Sequence, residues 1–272
     1  MSLPIALQLY TIRDDMAADF YGTLKKVKEM GYEGVEFAGL YGQDPANVKK
    51  WCDELGLIPV AAHVPFIDLL KNPMTVLSIY AGIGCKCVVF PYFLPEHRPD
   101  HPNFPYVMEY IQTISKAAKN FGITMLYHNH DFEITTMIDG QHALDVLYST
   151  VPADLLKTEI DTCWASVGGV NPAEYVRKYT GRSPVVHIKD YYGERSEDMY
   201  ELIGVDGTKK QRPANFELRP VGSGIQDIPA ILEAAKVAGS EWVVVEQDLP
   251  SMGLTPLECA KKSIDYIKTI EW

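Results

Sequence analysis

The chain has 272 residues, with 25 Lys and Arg against 36 Asp and Glu, a formal net charge of −11, 47% hydrophobic residues and a mean hydropathy of −0.08. No stretch approaches the roughly 18 to 20 consecutive apolar residues of a membrane-spanning helix. The acidic balance also excludes a general nucleic-acid binder, which needs a basic footprint to displace counterions.

Short apolar runs alternate with amphipathic stretches along the whole sequence. The first run covers residues 5–11 and reads as a strand rather than as the apolar part of a signal peptide, since no basic leader precedes it. Residues 19–30 then carry Phe20, Leu24, Val27 and Met30 at helical spacing, closed by Gly31. Further strands are predicted at 34–39, 57–64, 85–92, 123–130, 155–161, 184–190 and 242–248. The helices between and after them are predicted at 45–55, 75–83, 105–121, 141–149, 172–179, 227–238 and 256–270, several of them stopped by glycine. Five cysteines, Cys52, Cys85, Cys87, Cys163 and Cys259, are odd in number and scattered. They read as reduced thiols of a cytoplasmic protein rather than as a disulfide framework.

Eight strand-then-helix units imply parallel strands joined by right-handed crossovers, and at this length they predict a closed (β/α)8 TIM barrel over 1–272 as a single domain. An open doubly wound sheet would show a Gly-rich turn after its first strand, and Thr11-Ile-Arg-Asp-Asp is not one. One long irregular stretch, residues 191–220, follows the seventh strand. It is charged, yet Tyr192, Met199, Tyr200, Leu202 and Ile203 need a surface to rest on, so it is expected to dock over the barrel mouth.

Active residues of such barrels sit at the C-terminal strand ends. Here those ends carry His63; His128, His130, Asp131 and Glu133; Glu159 and Asp161; His187, Lys189 and Asp190; and Glu246, Gln247 and Asp248. Four successive strands, five to eight, end in His, Asp, His and Glu, a mixed nitrogen and oxygen set suited to a divalent cation. Because residues two apart share a face, Glu159 is the deeper partner of Asp161. Glu246 is the first candidate for general base, with His130 as its counterpart. Lys189 either donates to a developing oxyanion or forms a salt bridge with Asp190 or Glu246. His63 and Glu133 are candidate substrate contacts, and Arg13 reads as a loop residue. Tyr10, Phe37, Phe66, Tyr92 and Trp164 fall at or past strand ends and are candidates for walls that stack on a sugar face, with core packing as the alternative. Val221-Gly-Ser-Gly224 opens the last-but-one helix, either as a tight turn or as a backbone phosphate site.

Tyr127-His-Asn-His-Asp-Phe-Glu133, Glu159-Ile-Asp-Thr162, His187-Ile-Lys-Asp190, Val221-Gly-Ser-Gly224 and Val244-Val-Glu-Gln-Asp248 together resemble the xylose isomerase-like TIM barrels over essentially the whole chain. That superfamily includes sugar phosphate isomerases and epimerases, inosose dehydratases and endonuclease IV. The resemblance implies a divalent metal (Mn, Co, Mg or Zn) held by a residue of strand five together with Asp161, His187 and Glu246. Where enzymes like D-tagatose 3-epimerase have Glu in the first place, this chain has His128, with His130 and Glu133 as the other candidates. The implied activity is isomerisation or epimerisation of a sugar by proton abstraction next to a carbonyl, through a metal-stabilised enediolate. The His128 departure weakens a symmetric two-glutamate shuttle and keeps open a lyase or dehydratase of a keto-sugar, keto-inositol or 3-keto-glycoside. The implied partner is a small sugar or cyclitol bound by His63, Glu133 and Trp164, with no nucleic acid or membrane, and a homo-oligomer is compatible with the family. A nuclease would need many more histidines, and a non-catalytic sugar-binding module would not need a complete ligand set.

Overall fold

The computed structural model describes residues 2–196, 199 and 213–272. Eight parallel strands form the predicted barrel: β1 (Ile5–Gln8), β2 (Gly34–Phe37), β3 (Ile58–His63), β4 (Cys87–Phe90), β5 (Thr124–His128), β6 (Leu156–Asp161), β7 (Val185–Ile188) and β8 (Trp242–Val245). They run in chain order around the ring, and β8 pairs with β1 to close it.

Each strand is followed by a helix that buries one stripe against the barrel. Phe20–Met30 is capped by the Asp19 side chain, which accepts from Gly22 N–H, and it buries Phe20, Leu24 and Val27. Pro45–Leu55 matches its predicted bounds and ends on Gly56, which adopts a positive φ of 62°. Pro256–Ile267 opens with a reciprocal capping box between Thr255 and Glu258. The predicted first strand is shorter than expected, because Leu9–Ile12 turns into a 3-10 helix after Gln8. Short helices Arg13–Ala18, Phe66–Lys71 and Thr162–Val167 were not anticipated. Each lies just past a strand end, in a segment too short to show a helical period.

Alternation divides the core in two. One set of strand residues packs outward against the helices. The other fills the barrel interior with Ala6, Val60, Ala61, Cys87, Val89, Leu126, Val185 and Val244, topped by charged residues at the C-terminal ends. One extra β3 residue, Val60, falls between the pairs Val35–Pro59 and Glu36–Ala61, so both Val60 and Ala61 join this plug. All five cysteines are free and buried. Among the described residues no helix is long and apolar enough to cross a membrane.

Half of the expected lid, residues 197, 198 and 200–212, falls outside the described residues. Its ends are described: Asp190–Tyr192 pairs antiparallel with Glu217–Arg219. Met199 is buried with Phe132, Trp164, Tyr191 and Leu218, and its N–H donates to Asp131.

Candidate active site

His128 and Asp161 end β5 and β6, His187 is the last residue but one of β7, Glu246 directly follows β8, and their donor atoms all lie within 4.8 Å of one another. His128 Nε2 is 3.6 Å from Asp161 Oδ2 and 4.0 Å from Glu246 Oε2, and His187 Nδ1 is 3.1 Å from the same Glu246 oxygen. All four side chains are buried. Asp161 has a double duty. Its Oδ1 accepts from Trp164 N–H at 2.8 Å, capping helix Thr162–Val167, and this turns Oδ2 toward His128. Two imidazoles and two carboxylates converging from four strands are a donor set that fits a divalent cation.

A deeper layer orients the two imidazoles. Glu159 Oε1 lies 3.2 Å from His128 Nδ1 and 2.7 Å from His63 Nε2. Glu36 Oε2 lies 2.6 Å from His187 Nε2 and accepts from Gln8 Nε2 at 2.9 Å. Glu159 Oε1 is shared by His63, His128 and His187 and Glu36 Oε2 by His187 and His63, and the opposite ring nitrogens, His128 Nε2 and His187 Nδ1, face Asp161 and Glu246. Such carboxylate–histidine pairs fix the tautomer and raise the basicity of the other nitrogen. His63, His128, Glu159 and His187 also form a compact donor group, but every carboxylate contact in it is this kind of pairing. Glu159 takes the deeper position that alternation predicted. Glu36 escaped the sequence reading, although a lone acid inside the buried strand Gly-Val-Glu-Phe was a signal.

Lys189 is 1% exposed, and its ammonium sits 3.0 Å from Glu246 Oε2, 3.1 Å from Asp161 Oδ2 and 3.2 Å from Asp248 Oδ1. Burial would lower its pKa, but Asp161, Asp248 and Glu246 outweigh it and hold the amine well above its usual range. Burial pushes Glu246 up, yet Lys189 and His187 prevail and keep it ionised. Burial raises Asp161 to about 6. His128 is lowered to about 3 by burial, and burial likewise holds His130 well below its ordinary value, so both rings are neutral bases. His187 goes the other way, because Glu159 and Glu36 overcome its burial.

The site floors a cavity of about 680 Å³ to which His63, His128, His130, Lys189, Glu246 and Asp248 all contribute. Glu133 and Trp164, expected as substrate contacts, lie behind it. Glu133 accepts from Tyr127 O–H and from His130 N–H at 2.8 Å, and burial raises it to about 7, so it props the segment that carries His130. Trp164 is fully buried, with the Lys189 ammonium 5.5 Å from its ring centre. Of the five candidate aromatics, Tyr10 and Tyr92 reach the cavity wall, whereas Phe37, Phe66 and Trp164 pack in the interior. Arg13 does more than expected of a loop residue. It donates to Asp248 O at 2.8 Å and to Tyr10 O at 3.0 Å, bracing the end of β8 against β1.

The phosphate alternative for Val221-Gly-Ser-Gly224 is corrected by Asp190. Asp190 Oδ2 accepts from Gly222 N–H at 3.0 Å and Gly224 N–H at 2.9 Å, and Oδ1 from Tyr191 N–H at 2.9 Å and Gln226 N–H at 3.2 Å. The backbone anion site is filled by the chain's own carboxylate. A Cβ at Gly224 would collide with that carboxylate, which is why glycine stands there. Asp190 is therefore not the salt-bridge partner of Lys189.

A closed barrel with clustered acids, imidazoles and a buried lysine at its C-terminal face defines a TIM-barrel enzyme scaffold. The family model for the xylose isomerase-like TIM barrel matches residues 24–270, and the chain belongs to that family. An inosose dehydratase of Geobacillus kaustophilus (strain HTA426) is 21% identical over 268 residues, covering 90% of this chain and 85% of the relative. One from Clostridium botulinum (strain Eklund 17B / Type B) is 26% identical over 264 residues, covering 88% and 85%. Among solved structures, a sugar phosphate isomerase/epimerase from Parabacteroides distasonis ATCC 8503 superposes with a TM-score of 0.78 at 21% identity, covering 98% of this chain and 94% of that one. The IolI protein with a bound zinc atom superposes with a TM-score of 0.74 at 16% identity, covering 99% and 97%.

Proposed function

We propose that the chain is a divalent-metal-dependent lyase that removes a proton next to the carbonyl of a keto-sugar or keto-cyclitol and expels water or an alcohol from the neighbouring carbon. The observation that carries this reading is the split of acid–base groups around the cavity. Glu246 and Asp248 come from the β8 side, and His63, His128 and His130 face them from β3 and β5. The cavity's other carboxylate, Asp68, is exposed at the rim. Among the described residues that line the cavity, a two-carboxylate proton shuttle finds no second buried acid opposite Glu246, whereas an elimination needs only one base and one proton carrier. Curated relatives named inosose dehydratase support the same direction.

His128, Asp161, His187 and Glu246 would hold the metal, with Glu36 and Glu159 orienting the two imidazoles. A divalent ion supplies Lewis-acid polarisation of a carbonyl and of the hydroxyl beside it. Glu246 takes the α-proton, with neutral His130 as the second acceptor. The C–H electron pair becomes the new C=C bond, and the C–O bond to the leaving group breaks with its pair on oxygen. The protonated base then returns the proton to that oxygen. The Lys189 ammonium donates to negative charge developing on the substrate oxygen and keeps Glu246 ionised until it reacts.

A second reading, isomerisation or epimerisation, is favoured by Glu246 and His130 both reaching the cavity, since a proton taken by one can be returned by the other. Product analysis divides the two. Metal-loaded protein is incubated with ketoses, keto-inositols and 3-keto-glycosides and followed by NMR. Loss of water or alcohol with an unsaturated carbonyl product is the expected result. Interconversion of stereoisomers or ketose–aldose pairs without loss of a group would replace the lyase reading by the second.

A further inference from the structure

We propose that the half of the cavity remote from the metal donors is a subsite for an apolar or aromatic group carried by the sugar or cyclitol ring, so that the substrate is a neutral, apolar-substituted compound rather than a bare or phosphorylated sugar. The proposal rests on reading the floor as a keto-sugar site and concerns what that ring carries.

The cavity's size is the first ground. At about 680 Å³ it falls within the range of roughly 300 to 1,000 Å³ that holds drug-sized ligands, and a ring of six carbons and its hydroxyls occupies only part of it. The lining is the second ground. The donors stand on β5 to β8, but the remote wall comes from the loops after β2 to β4 and from helix Pro73–Ile83, and beside the polar Asp68, Lys71 and Asn72 it includes Leu40, Val64, Val76, Ile79, Tyr80 and Tyr92. Six apolar or aromatic side chains, continuous with a floor of charged groups, separate two kinds of ligand surface: hydroxyls and a carbonyl at the floor, carbon surface along the wall. Leu40, Val76, Ile79 and Tyr92 are only half-buried, so a ligand there removes their remaining apolar surface from water.

Charge is the third ground. Among the described residues, the cavity's cations are Lys189, already paired with Asp161, Glu246 and Asp248, and Lys71 on the exposed rim. The backbone nest after β7, the other place where a phosphate would bind, is filled by Asp190. Among the described residues, a phosphate on the ring would therefore enter among Asp68, Glu246 and Asp248 with only Lys71 at the rim to receive it.

Calorimetry with metal-loaded protein tests this, using the 4-nitrophenyl and methyl glycosides of one hexose, and 4-nitrophenol alone as competitor. The nitrophenyl compound is expected to bind about tenfold or more tightly than the methyl one, since its ring buries apolar wall. Ile79→Asp, and separately Val76→Asp, should abolish that preference while leaving the methyl glycoside's affinity and the native circular dichroism unchanged, and 4-nitrophenol should displace the nitrophenyl compound. Affinities within twofold of each other, or no saturable binding of the nitrophenyl compound, would overturn the subsite. A tenfold preference without turnover of any keto-sugar would count against the lyase reading and leave the subsite standing. Turnover without the preference would do the reverse.

Discussion

Glu36 Oε2 on β2 lies 2.6 Å from His187 Nε2 on β7, across the barrel interior, and so decides which nitrogen of that imidazole faces Glu246. The contact links two strands that are not neighbours in the ring, and Gln8 holds the carboxylate from β1 at 2.9 Å. The candidate metal donors are therefore aimed from beneath by residues that do not line the cavity.

Glu36→Gln keeps the volume but removes the charge behind His187. Loss of such an orienting partner typically costs about 10- to 100-fold in metal affinity. Chelator competition should show this loss with the barrel's circular dichroism unchanged. An affinity within twofold of the parent's would mean that Glu36 is only a packing residue.

The donor set itself makes a stoichiometric prediction. Protein purified without chelator should carry one divalent ion per chain by elemental analysis, and Asp161→Ala or His187→Ala should lose it. A full equivalent of metal remaining in the double variant would move the site elsewhere.

The barrel was legible because each strand-and-helix unit repeats the same physics: an apolar run buried on both faces, then a helical stripe closed by a glycine or a cap. Pro45–Leu55, bounded by Asp44 and Gly56, shows how sharply those local signals set an element. The convergence of the candidate donor positions was legible because strand ends in a barrel converge. Glu36 was not, since its role depends on β2 facing β7 across the interior, a relation no local pattern carries. The burial of Trp164 and Glu133 was equally hidden, because position just past a strand end does not say whether a side chain turns toward the cavity or behind it. The filled nest at Gly222 and Gly224 needed Asp190, more than thirty residues earlier, to be placed.

Asp190→Ala should be costly for stability. It removes the acceptor of four backbone N–H groups. Leaving donors of partly buried backbone unsatisfied costs about 1 to 3 kcal/mol each where water cannot replace the partner. A loss of about 2 to 4 kcal/mol in urea unfolding is expected, with no protection of the parent by inorganic phosphate. Stabilisation of the parent by millimolar phosphate would restore the phosphate-site reading.

Asp145 contributes to the pH dependence of stability. It joins helix Ala143–Thr150 to Pro172–Lys178, accepting from Tyr175 O–H at 2.8 Å and Lys178 Nζ at 2.6 Å, and from Tyr179 O–H just past that helix at 2.5 Å. Burial pushes its pKa up, but the Lys178, Tyr179 and Tyr175 hydrogen bonds outweigh it, and the folded-state pKa is lowered. The unfolded chain then takes up the proton first, near pH 3.9. The stabilisation is complete above that pH and is lost as pH falls through the folded-state value. Asp145→Asn should cost about 1 to 2 kcal/mol at pH 7, and the gap should narrow as pH falls below the unfolded value. A gap that widened on acidification would contradict the assignment.

The most direct test of the account is solvent deuterium exchange at the carbon next to the substrate carbonyl. In the metal-loaded parent, NMR should show deuterium entering that position, or product forming with the proton lost. Glu246→Gln, reloaded with metal, should slow the step by about 10² to 10⁴, the usual cost of losing a general base. Exchange at the parent's rate in metal-loaded Glu246→Gln would contradict the claim that this carboxylate takes the proton.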